Sequence, residues 1–377
     1  MAFIITIKLE KIMKTSKGFC VALLLAASTT ALAQMPELTF GGYLAGSLRD
    51  LDSDFEPAED SFEGTNNASH VNLKAALKGE TTSAFVFYER GLRNDKAGIE
   101  PDRQLYLGLD TPYGRLTAGK KASAYREAGE RVDPFYDTSV VGFNGRAMSE
   151  GASYGLSNLT NAFSKQGVAY ISPEILGGLQ LNGGAFIGTK KSPNNKTDAA
   201  AGAVYTLKDL IGEGSLLSLG AQYLKIENGT AFALGNSRLN DRAPVGGTPG
   251  ESDNVRVHGA LVTSRFSLGA SFEHIDVKAE PKARGYLYVA GTSALSSEVR
   301  LALNYGRLDF KTGSPALSGN GFGIGLFQKL NDNVNAYVAG RRVSLDGPGD
   351  STSVAVGLSI NFSTQLYPWA VNAGGDE

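Results

Sequence analysis

Side chains able to carry out catalysis or to hold a metal are few in this chain and lie far apart in the sequence. The histidines are His70, His258 and His274, and none has the spacing to Asp, Glu or another His that a zinc site needs. Residues Gly151 to Gly155 match the G-x-S-x-G pattern of serine hydrolases, but without the strand and helix that a nucleophile elbow requires. We therefore expect no catalytic residue, no metal or other cofactor, and no enzymatic activity.

The charged residues do not indicate a nucleic-acid partner or a strong ion site. Lysine and arginine total 36 and aspartate and glutamate 38, so the net charge of -2 gives no general positive field. Carboxylates between Asp50 and Asp60 could bind calcium weakly, although a solvated loop is the simpler interpretation. The only cysteine, Cys20, lies near the N-terminus in a segment that we expect to be removed, which excludes disulfides, thiolate metal sites and a cysteine nucleophile.

The N-terminal segment has the three parts of a secretory signal peptide. Basic residues lie between Met13 and Lys17, an apolar core runs from Phe19 to Ala27, and Ala31 to Ala33 form the cleavage signal. A membrane anchor is the alternative, but the apolar core is too short to span a bilayer. We therefore predict that residues 1–33 are removed on export. The residues before Met13 would make the N-terminal region of this signal peptide unusually long, so translation could instead start at Met13.

Side chains alternate between apolar and small or polar through the rest of the chain. In the last regular segment every second residue from Val354 to Phe362 is large and apolar, and the residues between them are small or polar. Similar alternation recurs in about sixteen segments. No later apolar run approaches the roughly 18 residues of a membrane helix. Strands with one apolar and one polar face predict an all-β fold, a transmembrane antiparallel β-barrel with lipid outside and water inside.

Short and long connections alternate along these segments, as in outer-membrane barrels with brief periplasmic turns and long external loops. Short turns such as Gly79 to Thr81 and Thr292 to Leu295 alternate with the long loops, and together they join sixteen strands in a barrel over residues 34–362. The third loop, Ala122 to Ser164, is the longest. Residues 363–377 follow the barrel, and we leave open whether they are a read-through extension or a periplasmic appendage.

Charged side chains in the strands fall on the face opposite the aliphatic ones. An ionised Lys or Arg on the lipid face near the bilayer midplane would cost about 2 to 4 kcal/mol, so the charged face must line water. The residues that we assign to the lumen by this alternation are Lys74, Lys78, Arg256, His258 and Arg300.

Several stretches resemble the general diffusion porins of Gram-negative outer membranes. Arg103 to Leu109 and Tyr113 to Lys120 are similar to the fourth and fifth strands of that family, and Gly167 to Leu179 to the sixth strand, its turn and the start of the seventh. Leu77 to Glu80 resembles the end of the second strand. The resemblance implies a homotrimer among outer-membrane lipids that passes small hydrophilic solutes and ions, with the third loop folded into the barrel.

The resemblance also implies a constriction in which acidic residues of the third loop face a ladder of basic residues. Opposed charges create a transverse field in the water-filled neck, which selects solutes by size and polarity. The alternative is that these charges are solvated and have no role in permeation. Asp133 to Asp137 departs from the family's Pro-Glu-Phe-Gly-Gly turn, which leaves open which acid reaches the neck. The matching positions are Lys74, Arg103 and Lys165 on the wall and Glu130, Asp133 and Asp137 on the loop.

Two other functions stay open at this point. A substrate-selective outer-membrane channel, for anions or small organic solutes, would have the same fold. A soluble all-β binding or adhesion protein would have to pack its apolar faces against each other and would stay in solution without detergent.

Overall fold

The computed structural model describes residues 36–54, 61–67, 69–92, 103–135, 138, 166–187, 197–227, 251–278, 282–310, 317–346 and 349–366. Within these ranges, no helix is both long and apolar enough to cross a membrane. The predicted signal peptide, the Gly151 to Gly155 match, Lys165 and Asp137 all lie outside the described residues.

The described residues form one sheet of seventeen strand segments and contain a helix in the third loop. The strands are β1 (Glu37–Ser53), β2 (Ser61–Asn66), β3 (His70–Lys78), β4 (Ser83–Gly91), β5 (Gln104–Thr111), β6 (Gly114–Lys120), β7 (Gly167–Ile171), β8 (Leu179–Phe186), β9 (Asp198–Lys208), β10 (Leu216–Ile226), β11 (Ser252–Val262), β12 (Phe266–Val277), β13 (Arg284–Ala294), β14 (Val299–Phe310), β15 (Leu317–Lys329), β16 (Val334–Leu345) and β17 (Gly349–Leu366). The helix is α1 (Ala124–Glu130).

The sheet closes into an antiparallel barrel with sixteen membrane passes. β1 pairs with β17 on one side and with both β2 and β3 on the other, so β2 and β3 are two parts of one pass. Ser69 lies at the break between them, where its hydroxyl accepts a hydrogen bond from the backbone N–H of Ala45 at 2.9 Å. Closure leaves no free sheet edge, as a strand-built protein in lipid requires. The predicted fold and number of passes are confirmed.

Two predicted boundaries differ from the structure. β17 runs four residues past Phe362, because Ser363 to Leu366 pair with the start of β1 and satisfy its backbone groups. The barrel therefore ends at Leu366. The predicted turn Thr292 to Leu295 lies too early, because β13 continues to Ala294 and the Thr292 hydroxyl lies 2.7 Å from that of Ser267 on β12.

The two faces of the barrel follow the predicted alternation. Leu73, Val257 and Val356 are exposed on the outward face. Their chain neighbours Arg256 and Ala355 point inward, and each is only 2% exposed. Some inward residues of β9 to β17 are therefore covered by protein, and the described part of the third loop contacts them at Tyr125, Val132 and Phe135.

Candidate functional site

The third loop enters the barrel as a short helix. The hydroxyl of Ser123 caps α1 by accepting a hydrogen bond from the backbone N–H of Arg126 at 3.2 Å. Tyr125 and Ala128 are buried where α1 contacts β9, β10 and β11, whereas Glu127 is partly exposed on another side of the helix. The helix therefore presents its apolar side to the barrel wall and carboxylates toward the remaining lumen.

A buried ion pair forms the first anchor of the loop. Arg256 on β11 and Glu273 on β12 are 2% and 1% exposed, and the Arg256 Nη2 atom lies 3.1 Å from Glu273 Oε2. The Tyr125 hydroxyl donates a hydrogen bond to Glu273, and Arg256 donates one to the Tyr125 carbonyl oxygen. The Arg256 guanidinium also lies 4.4 Å from the Tyr125 ring centroid. The Tyr125 ring packs with Phe186, Leu224 and Ile226.

The second anchor joins the residues after α1 to β13. Val132 packs with Tyr286 and Tyr288, and it approaches the backbone of Gly269 so closely that an added Cβ there would lie 2.9 Å from the Val132 Cβ. The Tyr288 hydroxyl donates a hydrogen bond of 2.6 Å to Asp133 Oδ1, which also accepts one of 3.0 Å from the backbone N–H of Phe135. Asp133 is thus bound to the wall.

Phe135 is the third anchor and fills an apolar socket in the wall. Its ring is fully buried, lies 5.6 Å from the Phe327 ring, and occupies the space that a side chain at Gly325 would need. The small socket residues are Ala302, Ala339 and Ala355. Together the three anchors hold the described part of the third loop against β9 to β17, inside the barrel.

The inward face of β3 to β6, called the opposite wall from here on, carries cations. The Lys74 Nζ atom lies 4.7 Å from the Phe85 ring centroid, and Lys74 makes no ion pair among the described residues. The Arg115 guanidinium lies 5.5 Å from the same centroid and donates a hydrogen bond of 3.1 Å to Asp110. Lys121 follows β6, with its Nζ atom 5.7 Å from the Tyr106 ring centroid.

The structure brings together only part of the constriction that the sequence predicts. Lys74 lies on the inward face, and Glu130 at the end of α1 pairs with Arg126 of the same helix. Arg103 instead contacts Glu89 on β4, with 2.7 Å between Arg103 Nε and Glu89 Oε1. Its charge is therefore balanced within the wall.

Asp133 also differs from its predicted place. It is 6% exposed and directed at Tyr288, so it does not face Lys74 across open water. Its predicted partners in the loop and wall, Asp137 and Lys165, lie outside the described residues. Among the described loop acids, Glu127 acts electrostatically on Lys121 and Arg115 of the opposite wall, although it is not one of the predicted constriction residues.

The other predicted lumen residues have different surroundings. Lys78 is exposed beside Glu37, with 2.9 Å between Nζ and Oε2, and Arg300 is exposed close to the turn that precedes β14. His258 is 6% exposed, and its ring covers Gly220. Arg256 supports the third loop and does not contact the water of the lumen. The alternation of apolar and polar residues predicts that its side chain points inward, but it does not predict the contacts with Glu273 and Tyr125.

Burial affects the protonation of the two loop carboxylates. Burial raises the pKa of Asp133 to about 6, against hydrogen bonds from Tyr288 and Phe135 that lower it. Burial also raises the pKa of Glu127, whereas nearby Lys121 lowers it. Asp133 therefore titrates within a pH range that a channel in an outer membrane can meet.

We expect Asp133→Asn to remove a pH dependence of stability. The folded pKa of about 6 lies above the ordinary 3.8, so stability is greatest below pH 3.8 and falls as pH rises to about 6. A shift of this size corresponds to on the order of 2 to 3 kcal/mol. Thermal unfolding in detergent at pH 4 and pH 7 measures this difference in stability. The exposed turn variant Asp332→Asn serves as the control, and an unchanged pH slope in Asp133→Asn would refute the assignment.

Comparisons with known proteins agree with this architecture. The family model described as Gram-negative porin matches residues 20–348. The anion-selective porin from Comamonas acidovorans is 13% identical with a TM-score of 0.66, covering 86% of this chain and 99% of that one. OmpF of Salmonella typhi, solved with daunomycin, is 14% identical with a TM-score of 0.63, covering 86% and 97%.

A third solved structure is the trimer form of OmpT from Vibrio cholerae, 15% identical with a TM-score of 0.60, covering 87% of this chain and 100% of that one. No curated protein sequence matches the chain significantly. At these identities the solved structures show the fold, and the family model covers most of the chain. The soluble all-β alternative is therefore rejected. The chain belongs to the Gram-negative porin family and forms a passive diffusion channel in the outer membrane.

Proposed function

We propose that small hydrophilic solutes and ions cross this porin through a neck between α1 and the opposite wall, without any catalysis. The observation that carries the proposal is the anchoring of the third loop at Tyr125, Val132 and Phe135 along β9 to β17. With that side of the lumen filled, the water path that remains runs past the opposite wall. Passage then depends on the size and charge of the solute.

The neck that we propose has carboxylates on the loop and cations on the wall. Glu127 and Glu130 occupy the loop side, and Lys74, Arg115 and Lys121 the wall side. Burial raises the pKa of Glu127, and the nearby Lys121 ammonium opposes that rise, which is the electrostatic effect expected of opposite charges close together. The assignment of Lys165 and Asp137 to the neck rests on the sequence alone.

We further propose that the protein is a homotrimer, exported with removal of residues 1–33. The outward faces of β3, β4 and β5 enclose an apolar depression of about 320 Å³. Small side chains there would let a neighbouring barrel approach closely. Trimeric OmpT of Vibrio cholerae has a similar fold, which supports the same state here. The depression is lined by the outward residues Ala75, Leu77, Ala84, Val86 and Leu107, by Pro36, and by Phe85 and Gly108 of the inward face.

Reconstitution of the purified protein in a planar lipid bilayer tests the transport function. Open conductance in potassium chloride, rising in groups of three equal steps, is expected of a trimer of passive channels. Correctly inserted protein that carries no current would refute the function, and single steps would refute the trimer alone.

We expect Lys74→Glu to shift ion selectivity toward cations. Two unit charges 4 Å apart interact by about 1 kcal/mol even in water, so reversing one charge in the neck should change the cation-to-anion permeability ratio severalfold. Reversal potentials under a salt gradient measure the ratio. The control is Lys278→Glu, which alters an exposed lysine beyond the end of β12. Equal reversal potentials for the two variants would remove Lys74 from the neck.

A further inference from the structure

Aromatic side chains of β4 and β5 lie beside the cations of the opposite wall. The antiparallel register places Lys74 on β3 opposite Phe87 on β4, Phe87 opposite Tyr106 on β5, and Tyr106 opposite Gly119 on β6. Directly opposed residues share one face of a sheet, with Cβ atoms about 5 Å apart. Since Lys74 points inward, Phe87 and Tyr106 point into the lumen as well.

Glycines on β5 and β6 give the rings their space along the wall. A Cβ on Gly108 would lie 2.1 Å from the Phe85 ring, so that ring covers Gly108. A Cβ on Gly119, which has a φ of +134°, would lie 2.7 Å from the Tyr106 Cα. No side chain at these two positions therefore stands between the aromatic row and the water of the neck.

The Phe87 and Tyr106 rings form one partly exposed platform. Their centroids are 5.3 Å apart with planes tilted by 36°, and the Phe85 ring meets Tyr106 edge-on at 6.1 Å. Both Phe87 and Tyr106 keep partial solvent exposure. Adjoining rings that face a water-filled lumen offer an apolar surface on which a flat ligand can stack.

The charges around the platform are mixed. Glu89, Asp110 and Glu127 all act on Tyr106, and each has a cation beside it, Arg103, Arg115 and Lys121, which leaves Lys74 as the additional cation among the described residues. Lys74 and Lys121 stand over the Phe85 and Tyr106 rings, and Arg115 is the partner of Asp110. The Lys74 ammonium has three N–H donors, and a face-on contact with Phe85 does not use them all. A ligand lying on Phe87 would thus have an apolar ring surface below it and the Lys74 ammonium beside it, which complements an anion with a flat apolar body.

Resting on the proposed function as a channel, we propose that this row is a binding site for small aromatic carboxylates. The carboxylate contacts the Lys74 ammonium, and the arene stacks on Phe87 and Tyr106. Such a site favours one class of solute on its way through the neck and gives the channel a preference that size alone does not supply. Neutral sugars also stack on aromatic rings, but the Lys74 ammonium beside Phe87 favours an anion.

The test is block of the potassium chloride current of the reconstituted full-length protein by benzoate. We expect benzoate to lower the current saturably, at concentrations about three- to tenfold below those of acetate, because the arene adds stacking on Phe87 and Tyr106. Benzyl alcohol and maltose, which lack the charge, are expected to act more weakly than benzoate. Stronger block by maltose, or equal action of benzoate and acetate, would overturn the proposal.

Variants separate the ring contact from the charge. Phe87→Leu should raise the half-blocking concentration of benzoate about three- to tenfold while leaving acetate unchanged, and Lys74→Gln should weaken both anions. Tyr106→Leu provides a second test of the platform if Phe87→Leu assembles poorly. Tyr305→Leu is the matched control, since Tyr305 is an aromatic residue exposed on the outward face of β14.

The outcomes distinguish the two proposals. A channel that conducts potassium chloride but shows no benzoate saturation refutes the binding site and leaves the passive channel intact. A protein that inserts and carries no current refutes the channel and the site together. Equal benzoate block in Phe87→Leu, Tyr106→Leu and Tyr305→Leu would likewise refute the site.

Discussion

Replacing Glu273 by Gln is expected to free the third loop from β11 and β12 and to make the channel current larger and noisier. The substitution keeps the shape of the side chain but leaves the buried Arg256 charge without its counter-ion. Removing one partner of a buried ion pair costs about 3 to 5 kcal/mol. The strands keep their backbone hydrogen bonds, so the cost falls mainly on the docking of Tyr125. Single-channel recording and thermal unfolding in detergent measure the effect.

A double-mutant cycle supplies the control for this prediction. Combining Glu273→Leu with Arg256→Met removes both charges, which is often close to neutral because no charge stays buried alone. Stability of the double variant should therefore exceed that of either single variant. If Glu273→Gln conducts and unfolds as the wild type does, the ion pair does not anchor the loop.

The barrel itself could be predicted from the sequence because its signal is local. In β17 the position of a residue along the strand determines whether its side chain faces lipid or lumen. Brief turns such as Gly79 to Thr81 mark the strand ends. Lys74 and Arg256 point inward as predicted, since a period of two fixes direction without knowledge of any neighbour. The inward or outward direction of strand side chains could therefore be predicted most securely from the sequence.

The partners of inward residues could not be predicted because they come from distant parts of the chain. Asp133 bonds to Tyr288 and Arg103 to Glu89, and nothing in the loop sequence distinguishes a wall-bound acid from one in the neck. Alternation separates lipid from lumen, but it does not separate a water-facing lumen residue from one beneath the third loop. Arg256 is the clearest case. Its charge predicts contact with the water of the lumen, but the side chain is buried by protein.

One signal for the loop was present in the sequence and was missed. A lumen filled only by water has no need of small apolar inward residues, yet Ala302, Ala339 and Ala355 occupy inward positions on β14, β16 and β17. Such residues are expected where an aromatic side chain must fit against the wall. Together with Phe135 in the third loop, they indicate a socket and its occupant.

Replacing Phe135 by Ala is expected to be the most disruptive apolar change in the third loop. The ring is fully buried between β14 and β17, and truncating such a side chain costs about 3 to 5 kcal/mol through lost burial and the cavity left behind. The socket cannot collapse around the gap, because its walls are strands of a closed barrel. We therefore expect a lower unfolding temperature and a wider, less stable conductance as this part of the loop leaves the wall.

Phe322→Ala on β15 is the matched control for that change. Phe322 is 56% exposed on the outward face, so the same truncation removes little protein packing and should leave the conductance of the neck unaltered. Phe135→Leu should give an unfolding temperature and a conductance between those of the wild type and Phe135→Ala, since leucine fills part of the socket. If Phe135→Ala and Phe322→Ala alter the channel current equally, the socket does not hold the loop, and the anchors at Tyr125 and Val132 must position it.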